Sequence, residues 1–163
     1  MKKYLYILSL IFLVTSCTED VKFNNPAFQT LKNSVFWRAK EYKAFLGANG
    51  NMIIEGSLGY EKVTLQTASS DVKTYTLGAD NVSKGWYENS LPSETASFST
   101  GTGIGNGQIV ITEYDLANNT ISGTFKFSAV NDDQSDTENP KVNFAEGVFY
   151  KVPIQASGLN HAL

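Results

Sequence analysis

Four acidic residues lie in one short stretch of this chain, between residues 131 and 140. They are Asp132, Asp133, Asp136 and Glu138. Calcium takes about 6 to 8 oxygen ligands, which such carboxylates and loop carbonyls could supply, but the stretch lacks the central glycine and terminal glutamate order of an EF-hand loop. The favoured interpretation is therefore a solvated loop, and calcium binding is the alternative.

The same carboxylates raise the alternative of a carboxylate-dependent hydrolase. Glycoside hydrolysis uses two carboxyl groups that flank the scissile bond at a fixed separation. Those groups need rigid supports, and a loop between two predicted strands provides a poor one. A hydrolase is therefore the second alternative and not the main prediction.

The chain contains a single histidine, His161, close to its C-terminal end. A serine or cysteine hydrolase needs a nucleophile beside a base, and a histidine-ligated zinc ion needs several nitrogen or sulfur ligands. The chain has one cysteine and one histidine, so neither set of groups is present. We expect His161 to be a solvated residue of a flexible tail, residues 154–163, and the protein not to be an enzyme.

Glycine recurs at every second position from Gly101 to Gly107, a pattern that suggests a phosphate-binding loop. A Walker loop would end in lysine followed by serine or threonine, and both are missing here. The dinucleotide-binding pattern would need glycine at Asn106 and a helix directly afterwards, where the sequence predicts a strand. We therefore expect a mobile loop that leads into a strand.

Aromatic side chains are the remaining candidates for recognition. Trp37 alternates in phase with Val35 and Ala39, which predicts that its ring is part of the core. Trp86 and Tyr87 are adjacent and flanked by glycine, asparagine and serine, which predicts a loop. In a loop both rings can face outward and bind a sugar or an extended peptide, or they can anchor the loop by packing.

Cys17 stands directly after a short apolar run, Tyr4 to Val14, that Lys2 and Lys3 precede. A charged segment followed by a short apolar one is typical of a signal peptide, and a membrane-spanning helix would need about 20 residues. The residues from Val14 to Cys17 resemble a bacterial lipobox, in which the cysteine is acylated. We therefore predict a lipoprotein signal peptide over residues 1–16, lipidation of Cys17 and an acidic, polar tether over residues 17–26.

Lipidation would anchor the protein to the outer membrane without any other apolar element, because each buried methylene contributes about 0.8 kcal/mol. The formal net charge is −3 and becomes more negative when Lys2 and Lys3 leave with the signal peptide. The remaining lysines are scattered, so the chain lacks the basic patch that nucleic-acid binding requires. The expected partners are the membrane, through Cys17, and a protein or glycan of unknown identity.

Strand patterns must position these residues. From Ile121 to Ala129 apolar and polar residues alternate strictly, which predicts a strand with one buried face that includes Phe125. The segment Gln108 to Leu116 is its predicted hairpin partner. Asn49-Gly50 is a dipeptide that type I′ hairpin turns prefer.

Similar short runs rich in β-branched and aromatic residues fill the rest of residues 27–153. They are Ala27 to Lys32, Val35 to Ala39, Lys43 to Leu46, Met52 to Glu55, Glu61 to Thr67, Lys73 to Leu77, Thr95 to Thr100 and Val142 to Val152. The segment Ala39 to Leu46 also fits helical spacing, and strand is the favoured interpretation. The prediction is one all-β domain, an antiparallel β-sandwich or barrel-like meander of about nine or ten short strands.

The chain from Phe28 to about Val152 resembles a family of small lipoproteins of unknown function from Bacteroidota. The segments that carry the resemblance are the lipobox, Phe36-Trp37, Thr74 to Gly78, Gly107 to Asp115, Ile121 to Phe125 and Gly147 to Phe149. This resemblance implies the fold and the cell envelope as the location, and it brings no catalytic residues. Thr18-Glu19-Asp20 loosely resembles an export signal for surface display, so the periplasmic and the surface-exposed side both remain open.

The sequence therefore predicts a non-catalytic binding or scaffold domain of the cell envelope. The first alternative is a module that binds a carbohydrate or another small ligand, with Trp86 and Tyr87 as its binding residues.

Overall fold

A computed structural model describes residues 25–156 of the chain. The predicted signal peptide, Cys17, most of the tether and His161 lie outside the described residues. Residues 25–156 include no apolar helix of membrane-spanning length.

Eleven strands build the domain, and the predicted all-β class is confirmed. Their bounds are β1 (Ala27–Lys32), β2 (Val35–Arg38), β3 (Glu41–Leu46), β4 (Met52–Leu58), β5 (Glu61–Thr67), β6 (Thr74–Leu77), β7 (Lys84–Asn89), β8 (Ala96–Ser99), β9 (Asn106–Asp115), β10 (Thr120–Asn131) and β11 (Lys141–Gln155). The ambiguous segment before Leu46 is a strand. The last strand extends two residues beyond the predicted domain boundary at 153.

The strands form one sheet in the order β2-β1-β11-β3-β4-β5-β7-β8-β10-β9-β6, and β11 also pairs with β10. That additional pairing closes seven of the strands into a ring, which consists of β11, β3, β4, β5, β7, β8 and β10. The pairs β1–β2 and β9–β6 extend the sheet outside the ring. The fold is therefore barrel-like, with two arms that complete the core.

The pairing of β11 with β3 is parallel, so the expectation of a wholly antiparallel sheet is wrong at this point. β1 begins at Ala27, which lies opposite Tyr150, and it leaves the edge of β11 unpaired beyond that residue. Ile154 and Gln155 then pair with Ala44 and Phe45. The free edge of the long last strand thus finds a partner in β3.

Phenylalanine rings fill the interior, as the alternating pattern of β10 predicts. Phe125 is 2% exposed and its ring lies 5.2 Å from that of Phe28, centroid to centroid. Phe127 stacks on Phe144 at 4.7 Å. Lys126, between the two phenylalanines of β10, is exposed, so the predicted facing of this strand is confirmed.

Two glycine-containing turns differ in how closely they match the sequence prediction. Gly50 has a φ of 78°, but Asn49 is not among the residues with positive φ, so the predicted type I′ turn is wrong. The two strands are instead joined by a longer loop, in which Gly47 N donates a hydrogen bond to Asn51 O. The glycine-rich segment leads into a strand, as predicted, but the strand begins within it: β9 starts at Asn106, after a turn closed by the bridge between Gly101 and Ile104. At Gly107, where φ is 146°, a Cβ would lie 2.3 Å from the carbonyl oxygen of Lys126, so the pairing of β9 with β10 requires glycine there.

Candidate functional site: two clefts on opposite faces of β7

Trp86 and Tyr87 lie in strand β7, so the prediction that they occupy a loop is wrong. β7 pairs with β5 on one side and β8 on the other, and these ladders fix its backbone as extended. Successive side chains of a strand point to opposite faces. Tyr87 therefore faces the core, where it is 5% exposed, and Trp86 is half-buried on the outer face.

The hydroxyl of Tyr87 belongs to a hydrogen-bonded network around Glu61. It donates to Oε1 of Glu61, and Nζ of Lys32 donates to the same oxygen as well as to the Tyr87 hydroxyl at 3.2 Å. Nε1 of Trp37 donates to Oε2 at 3.0 Å. We call these four residues the Glu61 network, and it connects β1, β2, β5 and β7.

Electrostatics keeps this network in one protonation state. Burial raises the pKa of Glu61, but the hydrogen bonds from Lys32, Tyr87 and Trp37 and the charge of Lys32 together outweigh burial and leave the pKa below its ordinary value. Burial and the neighbouring Glu61 carboxylate raise the pKa of the Tyr87 phenol. Glu61 is thus a carboxylate and Tyr87 a neutral phenol, an arrangement suited to stabilising the fold.

A cleft of about 520 Å³ adjoins the Glu61 network at the same end of the ring. Two acids, Glu94 and Asp136, are among its lining residues, together with Lys32, Tyr87 and Lys141. Asp136 is already bound, because its Oδ1 accepts hydrogen bonds from the backbone N–H groups of Glu138 and Asn139. These hydrogen bonds attach Asp136 to the acidic loop that carries it.

A second cleft, of about 380 Å³, lies on the outer face of the sheet around Trp86. We call it the Trp86 groove. Its lining residues come from β5, β7, β8 and two loops, and they are Gln66, Asn81, Lys84, Trp86, Ser97, Ser99 and Asp132. The groove thus combines one large aromatic ring with amide, hydroxyl, ammonium and carboxylate groups.

The polar groups of the Trp86 groove are held in fixed positions. The carboxylate of Asp132 accepts hydrogen bonds from the hydroxyls of Ser97 and Ser99, both at 2.7 Å. Nε2 of Gln66 donates to the carbonyl oxygen of Val82 at 2.7 Å. Each of these groups has further lone pairs or hydrogens that can bind a ligand. Because their side chains are already ordered by these hydrogen bonds, binding would cost less conformational entropy.

The four acids of the 131–140 loop have separate roles. Asp132 lines the Trp86 groove, Asp133 accepts hydrogen bonds from the N–H and hydroxyl of Ser135, and Asp136 accepts them from the backbone that follows it. Glu138 is exposed. No group of three or more histidine, cysteine, aspartate or glutamate side chains within residues 25–156 is arranged to hold a metal ion. The calcium alternative for these acids therefore gains no support from the fold.

Sequence reasoning singled out Trp86 and missed most of its partners. Asp132 was a candidate as a metal ligand, whereas Ser97, Ser99 and Gln66 were not candidates at all. The alternation of the two serines around buried Phe98 would have placed both on one outer face. The strand itself was detectable too, because Lys84, Trp86 and Glu88 alternate with residues of the opposite face.

Fold and groove together define a small all-β domain with a polar, aromatic-centred cleft on the outer face of its sheet. The chain belongs to the family described as domain of unknown function DUF6252, whose profile matches residues 24–153. Neither a curated protein nor a solved structure is significantly similar to it.

Proposed function

We propose that this protein is a lipid-anchored lipoprotein of the outer membrane whose all-β domain binds a carbohydrate in the Trp86 groove and does not catalyse a reaction. The observation that carries the proposal is the setting of Trp86, a half-buried indole surrounded by a carboxylate, an amide and hydroxyls that the fold holds in place.

This combination suits a sugar for a physical reason. A sugar ring has C–H groups on its faces and hydroxyls around its rim. An indole offers a large, rigid apolar surface to the faces, while carboxylate and amide groups pair with hydroxyls. Ligand sites of this type join an apolar surface to a few well-placed polar groups that fix orientation.

The acids of the Trp86 groove favour binding over hydrolysis. Glycoside hydrolysis uses two carboxyl groups that flank the scissile bond. One carboxyl group, that of Asp132, is among the lining residues of the groove, and the hydroxyls of Ser97 and Ser99 both donate to it.

The anchor rests on the sequence alone. The short apolar run before Cys17 and the lipobox-like residues Val14 to Cys17 support signal-peptide cleavage and acylation. The resemblance to small Bacteroidota lipoproteins supports the same location. A tether of polar residues would then hold the domain close to envelope glycans.

The test of the binding site is Trp86→Ala. We expect this variant to lose at least about tenfold in affinity for the glycans that the wild-type protein retains on a glycan array, a loss equivalent to about 1.4 kcal/mol. Its melting temperature should change by only a few degrees, about the shift produced by 1 kcal/mol, because the indole packs on the surface of the sheet.

The matched control is Tyr60→Ala, which removes an exposed aromatic ring from the turn between β4 and β5, outside the groove. It should bind like the wild type. Failure of the wild-type protein to retain any glycan, or equal binding by the Trp86 variant, would overturn the proposal.

A further inference from the structure

The Trp86 groove has a neighbour on the same outer face. A cleft of about 500 Å³ lies over β3, β4 and β5, and we call it the Glu55 groove. Its lining residues are Glu41, Tyr42, Lys43, Glu55, Ser57, Lys62 and Gln155. It shares no lining residue with the Trp86 groove, but the two are close.

Strand register sets the distance between the grooves. Glu55 lies opposite Thr64, Thr64 lies opposite Trp86, and Trp86 lies opposite Ser99. These residues therefore form a row across four strands. Neighbouring strands are about 4.8 Å apart, so Glu55 and Trp86 are separated by about 10 Å.

Four charged side chains in this row or beside it are paired within the protein. Lys43 forms a salt bridge with Glu55 at 3.4 Å, and Lys62 forms one with Glu88 at 2.8 Å. A charged ligand would have to compete with these bridges. A neutral ligand with many hydroxyls can bind beside them and use their remaining hydrogen-bonding positions.

Thr64 provides an independent observation between the two grooves. It is fully buried, and its Oγ1 is a buried side-chain polar atom without a hydrogen-bond partner in the described part of the chain. Buried hydroxyls are nearly always paired, so an unpaired one calls for an explanation such as a bound water or ligand. Thr64 is the strand partner of Trp86 and lies beneath the surface between the grooves, so a ligand would reach its hydroxyl through a bridging water or after a shift of the side chains that cover it.

We propose that the carbohydrate is a neutral oligosaccharide that occupies both grooves and crosses the row from Glu55 to Trp86 above Thr64. This inference rests on the proposed function and extends it, because it specifies the charge and the length of the ligand. A monosaccharide or disaccharide would fill one groove only.

The experiment is a glycan array with neutral and anionic series, each graded from disaccharide to hexasaccharide, probed with the wild-type protein. We expect neutral hexasaccharides to bind at least about tenfold more tightly than the disaccharides of their series. Raising the salt concentration from about 0.05 to 0.5 M should change this binding less than twofold. Salt screens interactions between charges, and a neutral ligand carries no charge to be screened.

Ser57→Tyr tests the second groove, because it places a bulky ring where Ser57 lines the Glu55 groove. This variant should bind the hexasaccharide no more tightly than the disaccharide and keep the disaccharide affinity of the wild type. Thr124→Tyr is the matched control, since Thr124 is exposed on β10 and lines neither groove. Melting temperatures of both variants show whether the fold is intact.

The outcomes separate the two proposals. Binding that depends on Trp86 but not on ligand length, or that Ser57→Tyr leaves unchanged, overturns this inference and leaves the Trp86 groove as the site. Preference for anionic glycans with strong salt dependence also overturns it. If no glycan binds, the proposed function fails and this inference with it.

Discussion

At the scale of the residue, Glu61 has an unusual position for an acid. Three donors from three different strands converge on its two oxygens: Lys32 from β1, Trp37 from β2 and Tyr87 from β7. The side chain is only 22% exposed, so its charge depends on these partners. Protonation would weaken these hydrogen bonds and remove the attraction between Glu61 and Lys32.

Glu61 should make stability depend on pH. Its pKa in the folded protein lies below the ordinary value of 4.5, so the folded state binds fewer protons than the unfolded state in this range. The stabilisation is fully present above about pH 4.5 and is lost as the pH falls through the folded pKa. We expect Glu61→Gln to lower the free energy of unfolding by about 1 to 2 kcal/mol at neutral pH, and this deficit to shrink below pH 4.5.

Denaturant titrations between about pH 3 and pH 7 measure this effect. Glu138→Gln is the control, because Glu138 is exposed in the acidic loop and its carboxylate is not part of the Glu61 network. A deficit for the Glu61 variant that stays constant over the whole range would show that its charge is not coupled to folding.

The burial of an individual side chain was predictable where the alternation of apolar and polar residues determined which face of the strand it occupies. Trp37, expected in the core, is 3% exposed. Tyr87 was misplaced because a turn-rich neighbourhood outweighed a short alternation. The partnership of Trp86 with Asp132 could not be predicted, because it depends on how β7, β8 and the end of β10 align.

At the scale of the element, β10 is the strand whose pattern is clearest and whose position is most central. It pairs with β11, β9 and β8. Phe125 lies at its middle, and a Cβ on Gly147 of the neighbouring strand would lie 2.6 Å from that ring. The ring of Phe125 therefore leaves no room for a side chain at position 147.

Phe125→Ala should destabilise the domain by about 3 to 5 kcal/mol, because it removes a buried ring and leaves a cavity among Phe28 and Phe127. Lys126→Ala, the adjacent exposed position, should change the free energy of unfolding by no more than about 0.5 kcal/mol. Urea unfolding of both variants provides the comparison. Similar losses for the two would mean that the register of β10 is different.

Strand boundaries were predicted accurately where turns are sharp and inaccurately where strands are irregular. β1 and β5 have the predicted ends. β11 is longer than expected, and its ladders with β1 and β10 contain register shifts, which break the simple alternation from which strands are predicted.

At the scale of the whole molecule, the all-β class and the barrel-like alternative were predictable from composition and period, whereas the strand pairs that close the ring were not. The ring closes because Ile154 and Gln155 pair with β3 while β11 also pairs with β10. No local pattern distinguishes those residues from a frayed terminus. Tertiary proximity decides their structure.

The proposed lipid anchor also concerns the whole protein, and Cys17→Ala tests it. We expect this variant to incorporate no fatty-acid analogue and to leave the membrane fraction, because a single cysteine is available for acylation. Thr18→Ala, the adjacent position, should be labelled like the wild type. Label that persists without Cys17 would contradict the proposed anchor.

The ladder between β11 and β3 has a consequence for when this chain can fold. During synthesis the N-terminal strands emerge first, but β1 and β3 both take the last strand as a neighbour. Contacts between residues so distant in sequence form slowly, because bringing them together reduces the conformational entropy of the intervening chain. Until β11 has left the ribosome, the ring of seven strands cannot close, because both β3 and β10 need β11 as their neighbour.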